Sequence, residues 1–356
     1  MIHIFLWVLA VVVVLCVVGA MYQAIATRRD EQVHPPPGRM IDVGGFRLHV
    51  LEAGTARAGA PTVILEAGLM STVMSWGALQ RRLAEKYRVV SYDRAGLGWS
   101  DLGPMPRTAD RITEELHALL EHAGIAPPYV LVGHSFGGLM APNFAAHFPD
   151  DVVGLVLVDA VAAAEWNPPT EHDARLGGIG AKVCRRAAIL SHLGVIRFIA
   201  FLLTTGAKVF AGRLVRLISR GTPDDAGTVS SPWFAALPQE EQKMAALFWV
   251  QPKFPLTIAS QLENLPVSAA GVGARPVFCE GPVVILSART SSDRRRTEHA
   301  AMAARLPQGE HINVDGSNHW IMQQQPEIVL DAIDRVVAYA ASPERSRIAV
   351  KAAPSD

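Results

Sequence analysis

Between residues 129 and 148 the chain reads Tyr129-Val130-Leu131-Val132, then Gly133-His134-Ser135-Phe136-Gly137, then Leu139–Phe148. The first run has the length and apolar character of a buried strand, and the last has the length of a helix. A strand that feeds a helix through Gly-x-Ser-x-Gly leaves few folds open. The glycines allow a sharp turn, and the Ser is forced out of the strand with its hydroxyl exposed. On its own this five-residue pattern is weak; the strand before it and the helix after it give it content. The helix N-terminus behind Ser135 favours negative charge nearby. The plain alternative is a Gly-rich turn with an incidental Ser.

The same rhythm runs on both sides. Met40–Val43 and Phe46–Glu52, split by Gly44-Gly45, read as a hairpin. Thr62–Glu66 and Arg88–Tyr92 read as strands, with a helix at Trp76–Lys86 between them. Ala109–Ala123 is a helix by the spacing of Ile112, Leu116 and Leu119-Leu120, and Val153–Val158 is a strand. Runs such as Gly154-Leu155-Val156-Leu157-Val158 suit strands covered on both faces, as in a parallel sheet under helices. From about 161 to 280 the alternation stops. It resumes with a strand at Val283–Ser287, a helix at Arg294–Leu306, a strand at His311–Val314 and a helix at Pro326–Ala340. Two flanks with one rhythm predict one sheet, 40–160 plus 281–341, interrupted by a mainly helical lid at 161–280. Residues 23–39 read as a linker ending in Pro35-Pro36-Pro37-Gly38, and 342–356 as a frayed tail.

Four segments in this order resemble the α/β-hydrolase family. Gly133–Gly137 is similar to its nucleophile elbow. Leu65-Glu66-Ala67-Gly68-Leu69-Met70 resembles its oxyanion loop, with Ala67-Gly68 where the family often has His-Gly. Tyr92-Asp93-Arg94-Ala95-Gly96-Leu97-Gly98-Trp99-Ser100 is similar to its D-x-x-G-x-G-x-S loop. Gly316-Ser317-Asn318-His319-Trp320 resembles its histidine loop. The resemblance implies that fold, and a catalytic order of Ser, acid, His. Because a Ser stands at the elbow, it disfavours the family's epoxide hydrolases and dehalogenases, which carry Asp there.

The chemistry can be argued from the residues themselves. A Ser hydroxyl is a poor nucleophile at neutral pH and needs a base. An imidazole with an ordinary pKa of about 6.5 can take that proton and return it to a leaving group. Among twelve histidines, His319 lies in a small-residue loop after the last strand. His134, beside Ser135, should point away from it, and His117 and His122 lie on a polar helix face. The acid that orients His319 should follow a strand upstream of it. Asp293, just past the Val283–Ser287 strand, is the expected residue; it also reads as a helix N-cap before Arg294. Asp159, ending the Val153–Val158 strand, is the alternative. The backbone N–H groups of Phe136 and Leu69 are the expected oxyanion donors. Asp93 and Arg94 read as residues that tie neighbouring loops together.

Composition then needs an account. Half of the 356 residues are hydrophobic, 19% are charged and the net charge is zero. This excludes a disordered chain and a globally basic nucleic-acid binder. Part of the surplus is a run without a charged residue from Ile4 to Tyr22. Its nineteen residues span about 28 Å as helix, enough to cross a bilayer core. A membrane anchor over 1–22 is expected, making a single-pass membrane protein. Arg28 and Arg29 favour a cytoplasmic body but leave the side open. Ala24-Ile25-Ala26 keeps a cleaved signal peptide as the rival. The lid adds Lys182, Arg185, Arg186, Arg197, Lys208, Arg213, Arg216 and Arg220 over 182–220 without one Asp or Glu. They read either as a solvated basic face or as a surface for anionic lipid. Three cysteines in no metal spacing, and no nucleotide fingerprint, imply neither metal nor cofactor.

The resulting expectation is a membrane-anchored serine hydrolase, esterase or lipase-like, acting on an apolar acyl substrate such as an ester, thioester or lactone. An acyltransferase or peroxide-using relative with the same triad is the near rival, and a non-catalytic binding protein on this scaffold the distant one.

Overall fold

The computed structural model of the protein describes residues 1–204, 239–275, 279 and 281–340. Eight strands form one sheet: β1 (Arg39–Asp42), β2 (Arg47–Ala53), β3 (Thr62–Glu66), β4 (Val89–Tyr92), β5 (Tyr129–His134), β6 (Val152–Val158), β7 (Val283–Ala288) and β8 (Gly309–Val314), in the order β1-β2-β4-β3-β5-β6-β7-β8. The first three in that order pair antiparallel, and all others parallel.

The apolar runs form strands because both faces are covered. On one face Val63, Leu65, Val130, Val132, Val156, Val158, Val284 and Leu286 pack against α2 (Gly77–Leu83) and α13 (Pro326–Ala340). On the other, Ile64, Leu131, Leu155, Leu157 and Ile285 meet α3 (Ala109–Ala123), α4 (Gly137–His147) and α11 (Asp293–Arg305). The alternation has the two-residue period of a strand, yet every residue of β3, β5, β6 and β7 is buried.

Between β6 and β7 the chain forms a helical cap: α5 (Ala163–Trp166), α6 (Glu171–His192), α7 (Val195–Thr204), α8 (Gln239–Trp249), α9 (Lys253–Glu263) and α10 (Leu265–Ala274). The expected basic positions Lys208, Arg213, Arg216 and Arg220, and the tail from 342, lie outside the described residues.

Two expectations need correction. The stretch read as a linker is helical through Val33: α1 runs unbroken over Ile2–Val33 and stops just before Pro35, because no Gly or Pro interrupts residues 21–34. The helix expected over Trp76–Lys86 is a 3₁₀ turn at Val73–Trp76 followed by the short α2, with Trp76 fully buried at the junction. A short helix, α12 (Ile321–Gln324), follows the histidine loop.

Candidate active site

Ser135 sits where β5 becomes α4, with φ +52. A side chain rarely adopts this left-handed conformation, and it persists because the surroundings fix it. Its N–H donates to the Val158 carbonyl at 3.1 Å, and its carbonyl accepts from Gly138 and Val161 at 2.9 Å each. The turn closes because Gly137 has no Cβ, which would stand 2.2 Å from the Glu66 carbonyl oxygen. Asp159, at the end of the adjacent β6, has φ +43, and Met70 in the loop after β3 has φ +62. These three are the non-glycine residues with positive φ among those described.

His319 follows β8, and its Nδ1 lies 2.5 Å from Oδ2 of Asp159. Asp159 is buried, 1% exposed. Its Oδ1 accepts from the Ala288 N–H at 3.1 Å and from the Ser291 hydroxyl. Arg295 stands 3.8 Å from Oδ2 and also bonds Glu165 at the start of the cap, at 3.1 Å. Burial alone would raise this carboxyl's pKa. The His319 hydrogen bond and charge, the Ser291 hydroxyl and the Arg295 charge outweigh it and hold the group well below the ordinary carboxylate range.

Asp293 is not near this pair. It begins α11 with its carboxylate 96% exposed, and it bonds Arg296 at 2.5 Å. The expectation that Asp293 orients His319 is therefore corrected in favour of Asp159. The reason lies in the loop after β7. Ser291 turns inward to Asp159, and Ser292 caps α11 by accepting from the Arg295 N–H at 3.1 Å, which leaves Asp293 on the outward first turn. The helix cap is Ser292, one residue before the position that the sequence offered.

His134, beside Ser135 in the elbow, bonds the histidine loop. Its ring is fully buried and its Nε2 donates to the His319 carbonyl at 2.9 Å. Burial, then the nearby His319 charge, push its pKa down to about 3. The ring is thus a neutral tie between the elbow and the histidine loop. The two rings lie 4.6 Å apart, centroid to centroid. Behind Asp159 a second tie operates. His299 Nε2 donates to the Ala160 carbonyl at 2.9 Å, while its Nδ1 meets the Ser287 hydroxyl at 2.7 Å. Burial pushes His299 down to about 4, so it too is neutral.

The loop Ala67–Met70 crosses in front of the elbow. Arg94, 2% exposed, donates to the carbonyls of Ala67 and Gly68 at 2.5 Å each. It is held by Glu66, which also accepts from the Tyr92 hydroxyl, and its guanidinium lies 5.2 Å above the Phe136 ring. In a trans peptide the C=O and the next N–H point opposite ways. Drawing the Gly68 carbonyl toward Arg94 therefore turns the Leu69 N–H outward from that network. Asp93 has the scaffold role expected of it: it accepts from the Val73 and Trp99 N–H groups and faces His49 Nδ1 at 2.8 Å.

Among the described residues no cluster of three or more His, Cys, Asp or Glu could hold a metal ion. The three cysteines are free, and burial raises the Cys184 thiol to about 11.

Comparison with known proteins agrees with this architecture. An AB hydrolase superfamily protein of Gibberella zeae is 38% identical over 104 residues, 28% of this chain and 32% of that one. RutD of Klebsiella pneumoniae subsp. pneumoniae, assigned by name to carbamate hydrolysis, is 41% identical over 103 residues, 28% of this chain and 38% of its own. The matched stretches thus span only about a third of these relatives. Among solved structures, an esterase from Thermogutta terrifontis superposes with TM-score 0.55 at 21% identity, over 85% of this chain and 99% of that one. An enol-lactonase from Burkholderia xenovorans LB400 does so with 0.56 at 17%, over 84% and 100%. At such identities the likeness is one of fold. The family model described as "Alpha/beta hydrolase family" matches residues 63–332, from β3 through the histidine loop and into α13; the chain belongs to the alpha/beta hydrolase family.

Proposed function

We propose that this enzyme is a membrane-anchored serine hydrolase that cleaves a carboxylic ester, thioester or lactone of an apolar substrate. The observation that carries the reading is the 2.5 Å contact between His319 Nδ1 and the buried Asp159 carboxylate. With Nδ1–H donated to Asp159, the lone pair of Nε2 is left to take a proton.

In this mechanism His319 Nε2 accepts the proton of Ser135 Oγ as Oγ attacks the carbonyl carbon. The carbonyl oxygen becomes an oxyanion and receives the N–H groups of Phe136 and Leu69. His319, now cationic beside anionic Asp159, returns the proton to the departing alcohol or thiol as the bond to it breaks. An acyl-enzyme remains on Ser135. Water then attacks with its proton going to His319, and the free acid leaves as Ser135 Oγ regains that proton. The strong downward hold on the Asp159 pKa keeps it ionised through the cycle.

The anchor reading rests on α1, whose apolar part is solvent-exposed along its length and long enough to span a bilayer. A cleaved signal sequence would pass the same length test. The contact of the later α1 residues with the cap, described below, favours retention, because cleavage near Ala26 would sever a packed helix. The exposed apolar residues of the cap and its contact with α1 support an apolar substrate.

The test is a series of p-nitrophenyl esters of graded chain length, measured with the intact enzyme and with Ser135→Ala. Turnover that rises with chain length and is lost in Ser135→Ala supports the proposal. Turnover unchanged by Ser135→Ala contradicts it. Carbamate substrates belong in the same panel, given the likeness of this region to RutD.

A further inference from the structure

The chemistry above makes no use of the junction between α1 and the cap, yet that junction is built closely. At Gly19 a Cβ would stand 2.2 Å from the Leu193 carbonyl oxygen, so only glycine permits the approach. Across from it, a Cβ on Gly194 would stand 2.9 Å from the Gly19 carbonyl oxygen and 3.3 Å from the Tyr22 ring. Leu193 and Gly194 form the corner between α6 and α7. Over the next three turns of α1, Arg197 of the cap donates to Gln23 at 3.1 Å, Thr27 at 3.4 Å and Asp30 at 2.6 Å. Gln23, 3% exposed, donates in turn to the Val250 carbonyl at 3.2 Å. Backbone against backbone, under a fan of largely buried hydrogen bonds, fixes the angle between stalk and cap. The stalk is a bracket, not a tether.

The depth of this junction has a consequence. Gly19 precedes Tyr22, the last residue of the apolar run, by three residues, or about 4.5 Å along a helix axis. The cap corner therefore lies level with the last turn of the segment read as membrane-spanning. Around this corner the cap presents Ile189 at 63% exposure, Phe198 at 49% and Phe201 at 56%. Lys182 and Arg186 of α6, and Arg28 and Arg29 of α1, are exposed as well. Apolar side chains flanking that corner, with cations on α6 and α1, match an element lying in the headgroup–acyl boundary, where amphipathic helices bury to about 5–10 Å.

We propose that the α6–α7 corner of the cap is a second membrane-contact element. It seats in the leaflet from which α1 emerges and holds the cap at the bilayer surface. This rests on the reading of α1 as an anchor, and the occupant of the surface is lipid.

The experiment uses the full chain in vesicles of phosphatidylcholine and phosphatidylglycerol. Its native cysteines are replaced, and an environment-sensitive fluorophore is placed on one new cysteine at a time: Val12→Cys in the apolar run, Phe198→Cys and Ile189→Cys at the corner, and Asp331→Cys on α13 as the aqueous reference. Lipids spin-labelled near the headgroup or at mid-chain act as quenchers. The proposal expects strong quenching at 198 and 189 by the shallow label, quenching at 12 by the deep label, and none at 331. If 12 is quenched while 198 and 189 behave like 331, the cap proposal is overturned and the anchor stands. If 12 also behaves like 331, the anchor reading fails, and this proposal with it.

Discussion

His319 Nδ1 and Asp159 Oδ2 stand 2.5 Å apart, although 160 residues and the whole cap separate them in sequence. β6, which ends at Asp159, lies beside β5, which ends at the Ser135 elbow; β8, which leads to His319, lies beyond β7. The loop after β7 supplies no acid to the site. It supplies the Ser291 hydroxyl to Asp159, beside the N–H of Ala288 at the end of β7. The work of one loop is thus divided between two strand ends.

Replacing Asp159 by Asn should preserve the packing but leave His319 in the wrong tautomer and its cation unsupported. A loss in kcat of about 10³- to 10⁴-fold is expected. Asp293→Asn, on an exposed carboxylate paired only with its own helix, should leave kcat unchanged. Steady-state kinetics of the two variants on one ester checks both outcomes.

Much of this was legible in the sequence. The strands at 62–66, 129–134, 152–158 and 283–288 follow from apolar runs that are covered on both faces. The helix at Ala109–Ala123 follows from the spacing of Ile112, Leu116 and Leu119-Leu120, and the structure caps it with Thr108 and Gly124, whose φ is +70. The elbow and the histidine loop lie where the sequence places them. The acid is misplaced by the sequence, at Asp293 rather than Asp159, because both candidates follow buried strands. Which loop curls toward His319 depends on Ser291 turning inward, a three-dimensional fact. A pair of serines before Asp293 was the available clue, since Ser292 is the better helix cap and leaves Asp293 outside. Arg94 was legible as a loop tie, but His134 and His299 act through backbone carbonyls, and such partners leave no pattern in a sequence. The helical stalk was missed because polar composition and a Pro run suggested a linker, whereas its stability comes from packing on the cap.

Arg94→Lys should keep a positive charge beside Glu66 but cannot reach both the Ala67 and Gly68 carbonyls with a planar fork. The Leu69 N–H would then lose its fixed direction. Loss of a whole oxyanion donor costs about 10²- to 10³-fold, so kcat should fall about 10- to 100-fold, with KM little changed. Circular dichroism should confirm that the variant is folded. Unchanged kcat would reduce Arg94 to a structural tie.

Stability should rise between pH 4 and 7. His299 is held neutral in the folded chain down to about 4, while an unfolded imidazole titrates near 6.5. As pH falls below that value, the unfolded chain takes up a proton that the folded chain refuses, so folding weakens until the folded pKa is reached. The buried His134, pushed to about 3, acts in the same direction. For His299 the effect is on the order of 3 kcal/mol. Asp159 adds to the fall at lower pH. Its carboxyl is held down in the folded state, so its contribution is present above the unfolded value of about 3.9 and is lost as pH drops further. Thermal melts across pH 4 to 7 should show this slope, and His299→Gln should flatten it.

Gly19→Leu should drive a side chain into the Leu193 carbonyl and separate stalk from cap. Overpacking of this kind costs about 1–3 kcal/mol. The expected result is a lower melting temperature for the full chain in detergent, with Asp159-dependent activity retained on a soluble short-chain ester.

The central claim is that Ser135, activated by His319 and Asp159, is the nucleophile. Intact-mass analysis after exposure to a fluorophosphonate tests it most directly. The account predicts one adduct per chain, located on Ser135, absent in Ser135→Ala, formed far more slowly in Asp159→Asn and at the normal rate in Asp293→Asn. An adduct that persists in Ser135→Ala, or a rate that falls in Asp293→Asn but not in Asp159→Asn, would contradict it.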